Sequence, residues 1–204
     1  MGALLGGRVS PQQEGYENII AYILVKTRSK PMTFIDPEEY TKRCADAIQK
    51  INTTHIRRVA ALIREVSAKD GIVFTMGNGG SSSTASHFAG DLNKAAGVRA
   101  ICLTDATPAM TAYMNDDGAD QMFLNQLAKW YHPGDLIFAI SCSGNSPNVV
   151  NAMPELGKSV LLTGDVEGAA KASLIMRAQD PDIRIQEDVH MAICHAIIAE
   201  LGDE

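Results

Sequence analysis

Apolar positions change their spacing along the chain in a regular way. Through "DPEEYTKRCADAIQKI" and "NTTHIRRVAALIREVSAKDG" they recur every three to four residues, which predicts two amphipathic helices, the first opened by Pro37 and the second closed by Gly71. Beyond Gly71, short unbroken apolar runs alternate with helical segments. "GIVFTMG" leads to "STASHFAGDLNKA", "VRAICLT" to "TPAMTAYMNDDG" and "ADQMFLNQLAKWY", and "GDLIFAIS" to "SPNVVNAMPEL". "KSVLLTG" is followed by a short segment near "VEGAAKA", and "LIMRAQ" by "IQEDVHMAICHAIIAEL". Strands with no internal polar alternation, each followed by a helix, predict a parallel sheet covered on both faces. The expectation is an α/β, doubly wound αβα sandwich preceded by an amino-terminal helix pair, one domain over residues 36–204. Residues 1–35, with the apolar stretch "YENIIAYILVK", are read as an extension of unknown role.

Ligands of such sheets bind outside the carboxyl ends of the strands, which singles out "GNGGSSS" after the first strand and "SCSGNSPN" after the third. Both offer free backbone N–H groups, small hydroxyls and the start of a helix, a combination suited to an anion. Neither has the third glycine of a dinucleotide fingerprint or the Gly-Lys-Ser/Thr of a Walker loop. His87 and Asp91 follow the first loop at i, i+4, on one helical face, where they can share a proton or a metal.

Composition narrows the ligand class. The chain of 204 residues is 46% hydrophobic and 21% charged, with a net charge of −6. It has no run of basic residues to attract nucleic acid or an anionic membrane, so the expected ligand is small. No stretch approaches the roughly 20 apolar residues of a membrane span, and the amino terminus does not read as a signal peptide. Cys44, Cys102, Cys142 and Cys194 are widely spaced and read as cytosolic thiols. Trp130 and the methionines read as core or interface packing, and His55 and His132 receive no role.

Four stretches in order, "MGNGGSSSTASHFAGDL", "AYMNDDG", "PGDLIFAISCSGNSPNVV" and "IQEDVHMAICHAI", resemble the motifs of the sugar isomerase (SIS) domain family, most closely its phosphoheptose isomerase branch. The resemblance covers about residues 37–204. It implies a five-stranded parallel sheet, a homotetramer built through the helix pair, and a cytoplasmic enzyme whose site lies at subunit interfaces. The implied reaction interconverts sedoheptulose 7-phosphate and D-glycero-D-manno-heptose 7-phosphate through an enediolate. The alternatives are another sugar phosphate, or a non-catalytic relative that binds the replication initiator. By this resemblance the substrate is bound by Asn78, Gly79, Gly80, Ser81, Asp116, Ser141, Cys142, Ser143, Asn145 and Ser146. His87, Asp91, Glu187 and His195 stand at the reacting carbons, where some members hold Zn²⁺, with Asp91, Glu187 and His195 as catalytic groups. Three positions depart from the family: Cys142 replaces a threonine, Asp91 a glutamate, and Glu187 a glutamine. Glu187 is preferred to Gln186 for the site because it lies about 80° from His195 around a helix, against about 180° for Gln186. His190, about 140° from His195, is assigned to structure, and Pro154 is expected to end the helix after Pro147 early.

Overall fold

The computed structural model describes residues 33–154 and 157–202. Five strands form one parallel sheet: β1 (Val73–Gly77), β2 (Ala100–Cys102), β3 (Leu136–Ile140), β4 (Lys158–Gly164) and β5 (Leu174–Ala178), in the order β2-β1-β3-β4-β5. Val73 pairs with Leu136 and Gly77 with Ile140, so the two central strands end level. The chain divides into two units, Met1–Asp36 and Pro37–Glu204. The extension assigned to residues 1–35 lies almost wholly outside the described residues.

Every residue of β1 and β3 is buried, and their side chains alternate between two cores as a period-two strand requires. Val73, Leu136, Phe138 and Ile140 enter one core, whereas Phe74, Met76, Ile137 and Ala139 enter the other. The first core is covered by α1 (Pro37–Gln49), α2 (Thr53–Ser67), α3 (Gly80–Lys94) and α7 (Ile183–Leu201). The second lies under α5 (Met122–Trp130) and α6 (Pro147–Ala152), beside α4 (Thr107–Asp116). Phe88 of α3 rests on Phe138 of β3 with ring centroids 4.7 Å apart, which fixes α3 over the middle of the sheet.

Local chemistry explains the element ends. Asn52 accepts the backbone N–H groups of Thr54 and His55 to cap α2, and Asp182 caps α7 at Arg184 N. The Arg184 guanidinium beside Asp182 lowers that carboxyl to about 2. Asn93 both donates to and accepts from Ala100, tying the end of α3 to the edge strand β2. The first helix of the expected pair is latched to α7 by Tyr40 donating to Asp188 at 2.5 Å, and to the segment before α7 by the Arg43–Asp180 ion pair at 2.6 Å. The Asp188 bond raises the Tyr40 phenol to about 12.

The segment near "VEGAAKA" is not a helix, and residues 165–173 cross from β4 to β5 as irregular chain. It lies against the loop after β3: Ala170 N donates to Gly144 O and Ala169 N to Asn145 Oδ1. A helix there would withdraw those donors from the loop. Trp130 is 60% exposed and so is not part of the core. α6 stops at Ala152, two residues before Pro154.

Candidate functional site

The strand order reverses between β1 and β3, and the two glycine-serine loops leave the carboxyl ends of these neighbours, where a doubly wound sheet opens a crevice. The crevice is a 170 Å³ cleft lined by Asn78, Ser81, Ile140, Ser141, Cys142, Ser143, Ser146, Ile183 and Glu187. Ile140 and Ile183 carry no polar signal in the sequence, and only the fold brings them there.

Much of the polar chemistry in the loops is spent on holding them. Gly144, at φ +59, turns the second loop, and its N–H returns to Ser141 O. The Asn145 amide donates to Ser143 O and accepts Ala169 N. Asn78 exchanges two hydrogen bonds with Asn148, at 3.0 and 2.8 Å, joining the first loop to α6. Asn148 escaped the sequence reading, although it stands directly after "SGNSP". The hydroxyls of Ser141 and Ser146 face each other at 3.4 Å. With α6 only six residues long, these hydroxyls and that of Ser143 are the donors this loop offers an anion.

Cys142 is engaged from behind. His190, fully buried, bonds Thr163 O through Nε2 at 3.0 Å, which keeps the proton on Nε2 and leaves Nδ1 to accept from the Cys142 thiol at 3.9 Å. Burial lowers the imidazole to about 4. Burial, with the Glu187 charge second, raises the thiol to about 11, so Cys142 is a neutral donor turned toward His190.

Beyond the cleft, α3 and α7 run side by side and bring three predicted residues together. His87 Nε2 lies 3.1 Å from His195 Nε2 and 3.1 Å from Asp91 Oδ2. The rings meet edge to face at 5.2 Å, and the three donor atoms lie within 4.8 Å of one another. A tetrahedral ion at about 2.05 Å from its ligands separates them by about 3.3 Å, so two imidazoles and a carboxylate at these spacings suit a divalent first-row metal.

Glu187 is outside that cluster. Eight residues separate it from His195, a rise of about 12 Å along a helix, so a small angle around the axis does not bring the two together. Its carboxylate turns instead to the start of α3, where a Cβ on Gly80 would lie 2.6 Å from Oε1 and 2.8 Å from Oε2. Gln186 is buried and donates to Asp180 O. Asp116 ends α4, is exposed, accepts from its neighbour Asn115, and is not among the residues lining the cleft. Gly79, at φ +53, makes the turn into α3.

The SIS domain family profile matches residues 38–159. The phosphoheptose isomerase of Chlorobaculum parvum is 33% identical over 175 residues, 78% of this chain and 83% of its own length. That of Aliarcobacter butzleri is 37% identical over 145 residues, 65% and 76% of the two chains. Among solved structures, the phosphoheptose isomerase of Neisseria gonorrhoeae superposes with a TM-score of 0.74 at 26% identity, covering 93% of this chain and 99% of that one.

Proposed function

The chain belongs to the SIS domain family, in its phosphoheptose isomerase branch, and on that premise we propose that the cleft and the His87–Asp91–His195 cluster form one active site. The protein is a phosphosugar aldose–ketose isomerase that interconverts sedoheptulose 7-phosphate and D-glycero-D-manno-heptose 7-phosphate. The observation carrying the residue assignments is the convergence of three donor atoms, from residues as far apart as 87 and 195, beside a serine-lined cleft.

The phosphate sits on the hydroxyls of Ser141, Ser143 and Ser146, and anchoring that end orients the reacting carbons. His87, Asp91 and His195 would hold Zn²⁺, which supplies Lewis-acid polarisation of the substrate carbonyl when bound. With Glu187 outside the set, two neutral imidazoles and one carboxylate leave a divalent ion formally at +1. Asp91 Oδ2 faces His87, and its other oxygen, Oδ1, takes the proton from C2 of the aldose and returns it to C1 through the enediolate. The 3.1 Å imidazole contact supports a second, metal-free assignment. Two nitrogens at that distance share one hydrogen, and in this assignment His195 Nε2 carries the substrate proton.

Both histidines are exposed in the protomer, and the cleft is smaller than the roughly 300 Å³ at which small-molecule sites begin. A site that must exclude water is therefore completed by a second subunit. We assign a homotetramer using α1 and α2, supported by a 560 Å³ groove whose apolar lining of Ile48, Ile51, Ile56, Ala192 and Ala196 is rimmed by Gln49, Thr53, Arg57 and Glu200. A cytoplasmic location is supported by four free cysteines, and no described helix is long and apolar enough to cross a membrane.

A panel of C5 to C7 sugar phosphates with products identified by NMR tests the reaction, and turnover confined to a shorter sugar would reassign the substrate. Elemental analysis before and after chelation tests the metal. Full activity in metal-stripped protein would leave His195 as the base.

A further inference from the structure

The loop after β3 is held against the loop after β1 at both of its ends. At its start the two strands pair in register, with Gly77 opposite Ile140. At its end Asn148 Nδ2 donates to Asn78 Oδ1 at 2.8 Å, and Asn78 Nδ2 donates to Asn148 Oδ1 at 3.0 Å. Residues 141–147, which supply the serine hydroxyls, are closed between these two ties. Asn148 is 8% exposed, and its Oδ1 also accepts Val149 N, so a single orientation of its amide satisfies all three bonds. Asn78 passes the tie onward. Its carbonyl accepts Ser82 N in the first turn of α3, the helix that carries His87 and Asp91.

We propose that Asn148 is a positioning residue: through Asn78 it sets the separation between the serine hydroxyls of residues 141–146 and the His87–Asp91–His195 cluster. Asn78 lines the cleft, but its carboxamide is committed to this tie and not to the sugar. A sugar phosphate has to span both ends at once, and a displacement of about 1 Å can cost about 10²-fold in rate. Inorganic phosphate touches only the serine end and does not sense the separation. The inference deepens the isomerase reading and rests on it for the span of the substrate.

The tie can be broken from either side. Asn78→Ala and Asn148→Ala remove the same two bonds, and Asn78→Ala leaves the Val149 bond in place. Each should lower kcat/KM for the sugar phosphate by about 10–100-fold, with affinity for inorganic phosphate, read by calorimetry, within about threefold of wild type. The double variant should match the worse single variant within about threefold, because one shared tie is lost only once. Asn151→Ala, which breaks a bond to Asp120 from an exposed position on the same helix, should behave as wild type. If Asn148→Ala does not fold, Asn148→Ser takes its place, keeping a polar group in the buried position but falling short of Asn78. Effects that multiply in the double variant would give the two residues separate tasks. Asn78→Ala more than about tenfold worse than Asn148→Ala would return the Asn78 carboxamide to the sugar. Single variants equal to wild type, a loss in Asn151→Ala, or phosphate affinity falling in step with kcat/KM would reduce the tie to local fold support. Each of these results overturns the proposal. Failure of the isomerase reading shows separately, as absence of product from every sugar of the panel with wild type. The tie is then read from affinity for the most tightly bound sugar phosphate relative to inorganic phosphate, which should fall in both single variants and no further in the double.

Discussion

At the scale of single residues, His87 and His190 illustrate opposite uses of one side chain. His87 is exposed and meets two other donor groups, whereas His190 is sealed under Thr163 and Cys142. In the proposed site His87 is a metal ligand or the hydrogen-bond partner of His195, so His87→Ala should lower kcat by about 10²–10⁴-fold with the melting temperature little changed, as steady-state kinetics and thermal melts can show. His190 should register in stability. Its pKa is about 4 when folded, below the ordinary 6.5. The unfolded chain therefore binds the extra proton between those values. Stability is unaffected above about pH 6.5 and falls as pH drops toward 4, by up to about 1.4 kcal/mol per unit. Urea titrations at pH 7 and 5 should show this slope in wild type and a slope smaller by one proton in His190→Gln. Of the titratable site residues, the i, i+4 pair of His87 and Asp91 was legible because it is local. Angle alone did not place Glu187, because the rise along α7 carries it away from the histidines and into the cleft lining.

At the scale of elements, the glycines separate stiff contacts from yielding ones. A Cβ on Gly80 would meet the end of a Glu side chain, which can swing aside, but one on Gly168 would meet backbone, Gly144 O at 2.5 Å. Gly168→Ala should therefore displace the 165–173 crossover from the loop after β3, the proposed phosphate site, and destabilise the fold by about 1–3 kcal/mol, while raising KM for the sugar phosphate more than it lowers kcat. Denaturation and kinetics on the same preparation would check both. A KM equal to that of wild type would show that the crossover does not support the loop. Period and turn residues announced the helices and strands, and Pro154 the early end of α6. The course of the short segment near "VEGAAKA" was not legible, because its bonds to Gly144 and Asn145 span more than twenty residues.

For the whole molecule, α4 buries no residue within the protomer and Ile48 is 40% exposed beside the apolar groove. Such surface calls for a partner. Ile48→Glu should leave the protomer folded, since the side chain is already partly in water, but dissociate the proposed tetramer. Light scattering at micromolar concentration would report the change, and loss of turnover alongside it is expected if a second subunit completes the site. An Ile48→Glu protein that remains tetrameric would remove the groove from the interface.

Fold class, the two loops, and the pairing of His87 with Asp91 follow from the sequence by itself, because periodicity, turn chemistry and one helical turn are all short-range properties of the chain. The resemblance to a family added His195 and the reaction. Tertiary structure alone decided that His195 meets His87 at 3.1 Å while Glu187 lies over Gly80, that Asn78 is tied to Asn148, and that His190 backs Cys142. The first two and the last depend on how α3 and α7 pack on one face of the sheet and how far each residue lies along its helix axis, and the Asn78–Asn148 tie depends on the adjacency of the loops leaving β1 and β3, relations that no local pattern encodes.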